Sequence, residues 1–388
     1  MAGKNWFMKR AIVLYIFGIL LLGKLSAQQA MPYRYYIFDD YMLNPAYVGS
    51  NDYLSFLVGH DQNFIGLSEG SPQTSILSIH SRVGRGYLFD KNGKINKFFE
   101  KFGNVAFGLQ MTQYSYGPSR ETNIGFTYGY HLRLNEDYKK KRPRKLVFAV
   151  SPHMQRMGFS YNDLHLVYNA LDESDGGFVD GKLGNLEKIR SWIFTTDVGA
   201  LYQSVDADVG IAAINIIQTK NRLESDELTL NDSITMATYD SLYSPRLMFN
   251  ARLKYIELYS SKQFDIDFVP TITALYAPKT KTSEFYADFR IESVFKKHIA
   301  GVRSEILFKG QLGLNVQHLR NYEATTFLKP YIAFDFKNYQ IAYIHHIYLD
   351  NDLVNSGASW GGAQISLLLK IGNERIVRKV SNRTSWKN

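Results

Sequence analysis

Apolar and polar residues alternate along most of the chain after residue 50. The clearest stretch is Thr122–Leu134, where apolar side chains occupy every second position and small or polar side chains lie between them. The apolar positions are Ile124, Phe126, Tyr128, Tyr130, Leu132 and Leu134. Period-two alternation of this kind predicts a β-strand with one apolar face and one polar face.

Comparable segments recur to the end of the chain and give fifteen candidate strands. The others lie near 53–60, 74–83, 105–111, 145–157, 191–203, 207–217, 246–255, 264–273, 283–294, 297–308, 310–320, 327–337, 339–349 and 361–371. Many run to ten residues or more, whereas strands of soluble sandwiches average about five or six. A tilted strand needs about ten residues to cross a membrane. The chain is therefore predicted to be all-β, a transmembrane antiparallel β-barrel.

The number of strands in such a barrel is even when both termini lie in the periplasm. We therefore expect about fourteen strands. Either 297–320 contains one strand fewer than the pattern indicates, or 53–60 lies outside the wall.

The lengths of the connections predict which end of the barrel they occupy. Residues 158–190 and 218–244 are long and polar, as extracellular loops are, whereas Ser204–Asp206, Ser260–Gln263 and Phe295–Lys296 are short, as periplasmic turns are.

The first 27 residues have the pattern of a cleaved signal peptide. Positive charges precede the apolar stretch Ala11–Gly23, which is too short to span a bilayer, since a spanning helix needs about 20 residues. No later apolar run approaches that length, which excludes a helical membrane protein. We expect 28–52 to form an N-terminal periplasmic segment, 53–372 the barrel, and 373–388 a basic C-terminal tail.

Composition narrows the possible functions further. The chain has no Cys, which removes disulfides and thiolate chemistry, and it is rich in Tyr (27) and Phe (25), which suit membrane interfaces. Its formal net charge is +9, with basic residues dense in 139–145 and 375–387. Because the signal peptide directs export, we expect no nucleic-acid partner, and contacts with outer-membrane lipid and acidic partners instead.

The polar faces of several predicted strands carry charges of both signs. Arg246, Arg252 and Lys254 should neighbour Asp265 and Asp267 on the next strand. The following strand adds Glu284, Asp288, Arg290 and Glu292. Because the signs are mixed, these charges favour a structural ladder of ion pairs inside the barrel. The alternative is the lining of an ion-selective pore.

No catalytic, cofactor-binding or metal-binding residues emerge from the sequence. His345 and His346 point to opposite faces of one strand, so they cannot ligate one metal from that segment. Ser78 and His80 share one face of a predicted strand, and this geometry is the only feature that suggests a hydrolase. No nucleotide-binding motif has the required strand–loop–helix context. We therefore predict a non-enzymatic protein without a cofactor.

The segment Tyr41–Ser50 and a second block over 60–80 carry the most distinctive motif. Asn44-Pro45 fixes an extended residue before a turn, and Gly49 can take a positive φ where the chain enters the first strand. Pro72 should end a loop before a strand that contains Thr74. The candidate residues are Asn44, Pro45, Ala46, Gly49, Gln62, Gly66, Pro72, Thr74, Ser78 and His80. They either shape the barrel mouth or bind a partner.

These two blocks resemble the N-terminal signature of the PorP/SprF family of type IX secretion membrane proteins. The resemblance implies a role in the outer membrane, in bacteria that often glide. It also implies partners: the C-terminal sorting domains of secreted adhesins, and periplasmic ring proteins with their peptidoglycan link. The loops or the lumen would hold the cargo, while the tail and the residues before Asn44 would face the periplasm. A passive diffusion channel for small solutes is the competing hypothesis, and a purely structural anchor for the ring is a third.

Overall fold

The computed structural model describes most of the barrel and a short segment before it. The described ranges are 39–51, 53–63, 71–83, 104–116, 119–134, 144–159, 189–204, 206–219, 245–254, 256–261, 263–278, 282–298, 304–320, 324–336, 338–349 and 361–371. The predicted signal peptide, the tail 373–388, Gly66 and most of the two long loops lie outside these ranges.

Fifteen β-strands and two short 3-10 helices make up the described regular structure. The strands are β1 (Leu54–Gln62), β2 (Gln73–Arg82), β3 (Val105–Tyr116), β4 (Ser119–Arg133), β5 (Lys145–Phe159), β6 (Ile189–Gln203), β7 (Ala207–Gln218), β8 (Arg246–Leu253), β9 (Ile256–Ser260), β10 (Phe264–Ala277), β11 (Thr282–His298), β12 (Ser304–Arg320), β13 (Ala324–Phe336), β14 (Tyr339–Tyr348) and β15 (Gly362–Ile371). The helices are Asp40–Met42 and Pro45–Tyr47.

The strands form one closed antiparallel barrel. Sequential strands pair with one another, and β1 also pairs with β15, from Leu54 opposite Ile371 to Gln62 opposite Ala363. Strands β8 and β9 pair in succession with the same side of β10, so they are two parts of one interrupted wall strand. The wall therefore has fourteen strand positions, and the predicted fold is confirmed.

The extra candidate strand came from the region 297–320. This region contains a single strand, β12, while β1 is a full member of the wall. The expected turn at Phe295–Lys296 is wrong, because both residues lie within β11, where the register shifts against β12. A bulge interrupts the apolar alternation locally, so in the sequence it resembles the end of a strand.

The short turns Ser204–Asp206 and Ser260–Gln263 lie where the sequence predicted them. The amide of Ser204 donates to the carbonyl of Ala207 (2.9 Å), and the amide of Ser261 donates to the carbonyl of Phe264 (2.8 Å). Both turns lie on the rim where β1 begins and β15 ends, which is the periplasmic rim of an outer-membrane barrel.

The two faces of the wall have opposite character. On β4, Phe126 is 50% exposed and its neighbours of the same face are also exposed, whereas Thr127 and His131 on the other face are fully buried. The apolar face is therefore the lipid-facing exterior, and the polar face lines the lumen. No helix in the described ranges has the length and apolar character needed to cross a membrane.

The lumen contains the segment Asp39–Ser50, which we call the plug. The expectation that 28–52 is periplasmic is wrong for these residues. The expectation that the residues before Asn44 face periplasmic partners is likewise wrong for Asp39–Leu43, while 28–38 lie outside the described residues. The buried face of the wall is lined by small and polar residues, which leave space that the apolar side chains of the plug fill. Leu43, Ala46 and Val48 are at most 3% exposed.

Candidate functional site

The plug is a compact peptide built from two 3-10 turns. The side chain of Asp39 accepts from the amide of Tyr41 and caps the first turn. Asn44 is extended (φ −134°, ψ 121°), and its Oδ1 accepts from the amide of Ala46 (2.9 Å) at the start of the second turn. Pro45 occupies the first position of that turn, where its missing N–H costs nothing. The predicted extended residue before a turn is confirmed.

Strand β2 holds both ends of the plug. Ser78 Oγ donates to Asp39 Oδ2 (2.8 Å), and His80 Nε2 lies 3.1 Å from Asp39 Oδ1. The amide of Gly49 donates to His80 Nδ1 (3.1 Å), so the other ring nitrogen, Nε2, carries the proton that faces Asp39. One histidine thus links Asp39 to Gly49, and all four residues of this linkage lie inside the barrel.

Asn44 and Tyr47 attach the plug to the opposite side of the wall. Asn44 Nδ2 donates to Asn250 Oδ1 (3.2 Å) and lies 3.4 Å from the carbonyl oxygen of Ile211. Asn250 Nδ2 in turn donates to Tyr47 Oη (2.6 Å). Because Asn44 is fully buried, its amide needs these partners to offset the cost of leaving water. The motif asparagine therefore fixes the plug and caps its second turn at the same time.

Two cations of the wall contact the plug near the periplasmic rim. The guanidinium of Arg252 on β8 forms a bidentate ion pair with the carboxylate of Asp40. Lys145 Nζ donates to the carbonyl of Ser50 (3.3 Å). Bidentate pairs of arginine and carboxylate are the stronger and geometrically more specific class of ion pair. Arg252 therefore sets the orientation of the first turn.

The plug also makes hydrogen bonds with β4 and β5. Tyr41 Oη lies 2.7 Å from Thr127 Oγ1, which lies 2.7 Å from Ser151 Oγ. His131 Nε2 donates to the carbonyl of Val48 (2.9 Å). The polar atoms of this buried region are thus joined in a chain that runs from the plug into the wall.

Glycines on the inner face of the wall make room for the plug. A Cβ at Gly108 would lie 2.5 Å from Tyr41 Oη, and a Cβ at Gly129 would lie 2.3 Å from Val48 Cγ1. A Cβ at Gly199 would lie 2.3 Å from Asn44 Oδ1. Side chains of any size at these positions would displace the plug. We call this glycine-lined surface, together with Ser78, His80, Thr127, His131, Asn250 and Arg252, the socket.

Apolar side chains of the plug reach the middle of the lumen in several directions. Leu43 belongs to a buried cluster with residues of β7, β8, β10, β11, β13 and β14, including Tyr286, Tyr331 and Ile344. Met42 packs on the other side with Leu57 and further residues of β2 and β15. The plug thus packs against strands on every side of the lumen.

The candidate residues of the motif fall into two groups. Asn44, Pro45, Ala46, Gly49, Ser78 and His80 come together in the plug and its socket. Gln62, Pro72 and Thr74 lie four or more residues further along β1 and β2, toward the extracellular rim. There the carbonyl of Pro72 accepts from the amide of Asn63 (2.9 Å), and Gln62 Nε2 lies 3.4 Å from Ser71 Oγ.

Two backbone expectations for the motif are confirmed. Gly49 has φ +59°, and Pro72 directly precedes the strand that contains Thr74. The sequence reasoning missed Asp39, Asp40 and the socket residues of β4 and β8. Glycines and small polar residues on one face of Thr122–Leu134 were the available signal, because a face so small must accommodate something else within the barrel.

The inward charges form ion pairs, but with partners different from those predicted. Arg252 pairs with the plug, Lys254 lies 2.8 Å from Asp208, and Arg246 lies 3.8 Å from Glu284. Asp265 and Asp267 instead lie opposite Ser260 and Glu257 of β9, because the tight turn before Phe264 pairs the start of β10 with β9. On β11, Arg290 lies between Asp288 (3.2 Å) and Glu292 (3.7 Å). Charges of both signs are therefore interleaved along the lumen.

The geometry at Ser78 does not resemble a hydrolase site. Ser78 and His80 both bind Asp39, and the serine donates its proton to the carboxylate rather than to the histidine. Both side chains are at most 1% exposed. A serine nucleophile needs a base that accepts its proton and a substrate that can approach it. Within the described residues, no group of three or more His, Asp or Glu side chains is arranged to hold a metal ion.

Replacing Ser78 with alanine is expected to weaken the docking of the plug by about 1–2 kcal/mol, because Asp39 loses a hydrogen bond while His80 remains. The rate of proteolysis within the plug measures this loss. Ser81→Ala on the same strand is the matched control, since the Ser81 hydroxyl donates to the carbonyl of Arg82 (3.3 Å) and not to the plug. Equal proteolysis rates for the two variants would contradict the assignment.

A closed barrel with an apolar exterior and a plugged polar lumen defines an integral outer-membrane β-barrel protein. Residues 25–361 match the model of the family described as "Type IX secretion system membrane protein PorP/SprF", and the chain belongs to this family. No curated protein matches the chain.

Solved barrels resemble the chain only distantly. A structure titled "CymD monoaromatic hydrocarbon channel" is 11% identical, with a TM-score of 0.41 over 90% of this chain and 96% of that chain. The Ralstonia pickettii toluene transporter TbuX is 11% identical, with a TM-score of 0.40 over 85% and 91%. A Pseudomonas aeruginosa FadL homologue is 10% identical, with a TM-score of 0.38 over 84% and 92%. These values are too low to bear on function.

Proposed function

We propose that this protein is a non-enzymatic component of the type IX secretion and gliding machinery that binds partners at both ends of its barrel. At one end it binds the C-terminal sorting domain of a secreted adhesin. At the other it binds the periplasmic ring and its peptidoglycan-linked proteins. The observation that carries the proposal is the plugged lumen of a member of this family. Because the family motif fills the interior, the surfaces at the two rims are left for partners.

The plug also weighs against the passive channel. A diffusion channel needs a continuous water-filled path, and a barrel of this strand number is wide enough for one unless something fills it. Here Leu43 and Met42 pack against strands on opposite sides of the lumen. The interior is therefore suited to holding the plug, and cargo binding is assigned to the loops rather than to the lumen.

The charges of the connecting segments differ between the two rims. Residues 158–190 carry six acidic and three basic residues, and 218–244 carry five acidic and two basic residues. The tail 373–388, which follows β15 at the periplasmic rim, carries five basic residues and one acidic residue. Opposite charges at the two rims suit two different partners, because electrostatic complementarity directs association and disfavours the wrong partner.

Deleting the gene in its native bacterium is expected to remove one adhesin from the cell surface while other type IX cargo is still exported. Quantitative proteomics of the surface and periplasmic fractions measures this effect. Complementation with the full chain should restore the adhesin. Complementation with a chain ending at Gly372 should restore membrane insertion but not the recovery of ring proteins with the tagged barrel.

Two outcomes would contradict the proposal. Collapse of all type IX export on deletion would favour a structural anchor of the ring, since a dedicated cargo binder affects only its own cargo. Steady open conductance of the purified full chain in planar bilayers would favour the passive channel.

A further inference from the structure

The plug forms its backbone-to-backbone hydrogen bonds within itself. Among the described residues these bonds join residues of the plug to one another, while wall side chains bind the amide of Gly49 and the carbonyls of Val48 and Ser50. Examples are the amide of Leu43 to the carbonyl of Asp40 (3.0 Å) and the amide of Val48 to the carbonyl of Pro45 (3.0 Å). The segment therefore keeps its turns without adding a strand to the wall.

The wall recognises the plug through side chains. Two contacts of its carboxylates hold the first end, Asp39 with His80 and Asp40 with Arg252, and Asn44 makes an amide contact with Asn250. A folded peptide bound by the side chains of a preformed groove is a ligand in the physical sense. Its removal breaks no ladder of strand hydrogen bonds, so the wall can remain closed without it.

We propose that the socket is a reversible peptide-binding site whose ligand is an acidic peptide with an Asn-Pro turn, Asp-Asp-Tyr-Met-Leu-Asn-Pro-Ala-Tyr-Val-Gly-Ser. The plug of the same chain is its resident occupant, and a second peptide of that sequence can replace it. This proposal does not depend on which partners bind at the rims. It assigns the lumen a binding activity that the proposed function does not use.

The shape of the socket makes the site selective. Gly108, Gly129 and Gly199 admit Tyr41, Val48 and Asn44 at distances that a Cβ on the wall would prevent. The ligand is thus recognised by the positions of its side chains as well as by its two carboxylates.

The test uses the full chain with a protease site inserted between Asn51 and Asp52, which is cut after the barrel has folded in detergent. A fluorescent synthetic peptide of residues 39–50 is then added in excess. We expect saturable incorporation into the cut protein, competed by unlabelled peptide, and no incorporation into the uncut protein. A peptide with Asp40→Asn should bind about tenfold or more weakly, because the ion pair with Arg252 is lost.

A disulfide-locked variant is the control. A Cβ at Gly129 would lie 2.3 Å from Val48 Cγ1, so Cβ atoms at these two positions come within about 4 Å, a distance that a disulfide can bridge. The chain has no other Cys. The added peptide in this control carries Val48→Ala, which removes the Cγ1 atom that a Cβ at position 129 would meet. Val48→Cys with Gly129→Cys should then block incorporation of this peptide when oxidised and permit it when reduced.

Three results would overturn the proposal. In the first, the cut barrel keeps its own segment and never takes up the labelled peptide, which makes the plug a permanent part of the fold. In the second, the barrel unfolds once it is cut, as judged by the loss of its heat-modifiable migration on gels. The third is equal binding of a scrambled peptide.

Discussion

Replacing Gly49 with alanine is expected to weaken the docking of the plug by about 3–5 kcal/mol. Two costs add at this position. The backbone has φ +59°, which side-chain-bearing residues rarely adopt, and a Cβ would lie 2.7 Å from the Cβ of Ala106 and 2.8 Å from the amide nitrogen of Arg82. Neither neighbour is the end of a flexible side chain, so the plug has to move.

Proteolysis of the plug in the folded barrel measures this effect. When opening is fast relative to cleavage, the cleavage rate follows the open population, so we expect it to rise by about two to four orders of magnitude. Gly310→Ala is the matched control, because a Cβ there meets only the ring of Phe308, at 3.6 Å and beyond. If Gly49→Ala and Gly310→Ala are cleaved at the same rate, Gly49 is not a docking residue.

The wall of the barrel could be predicted from the sequence because lipid on one side and a polar lumen on the other impose alternation. Every second residue of Thr122–Leu134 faces lipid, so the pattern is continuous and marks the strand clearly. The pattern gave fifteen candidate strands, which the position of both termini in the periplasm reduced to an even number, and the lengths of the connections gave two of the three short turns correctly. The pattern could not give the register, since a bulge such as that at Phe295–Lys296 and the interruption between β8 and β9 leave no specific composition.

The plug could not be found in this way. The plug has few residues, and its apolar positions do not recur with the period of a strand or a helix. Their burial depends on a lumen that exists only once all strands have closed. The resemblance of 41–80 to a family signature drew attention to Asn44, Gly49 and His80 without saying that they meet. The structure explains their spacing, because the same histidine on β2 binds Asp39 before the turn and Gly49 after it.

The charged residues show a related limit. Counting signs on adjacent strands predicted pairs between strands, yet Arg252 pairs with Asp40 in the plug, far away in the sequence. Arg252 lies opposite Asp208 of β7 and Thr271 of β10, yet its bidentate partner is the carboxylate of the plug, which strand pairing alone does not show.

Replacing Arg252 with methionine is expected to weaken the docking of the plug by about 2–4 kcal/mol. Methionine keeps much of the side-chain volume but leaves the carboxylate of Asp40 without its bidentate partner, in a site where the Asp40 side chain is only 22% exposed. A partly buried charge that loses its partner keeps its desolvation cost, and this cost makes up most of the expected loss of docking free energy.

A double-mutant cycle separates the ion pair from the loss of packing. Asp40→Asn in the Arg252→Met background should restore part of the docking free energy, because the unpaired carboxylate is removed, and the two changes should therefore be non-additive by about 1–3 kcal/mol. The same cycle on Lys370 and Asp335, an ion pair between wall strands, is the control and should leave the proteolysis of the plug unchanged. Strictly additive effects of the Arg252 and Asp40 substitutions would mean that the two side chains do not act as a pair in holding the plug. The orientation of its first turn would then have to come from Asp39, Tyr41 and the apolar contacts.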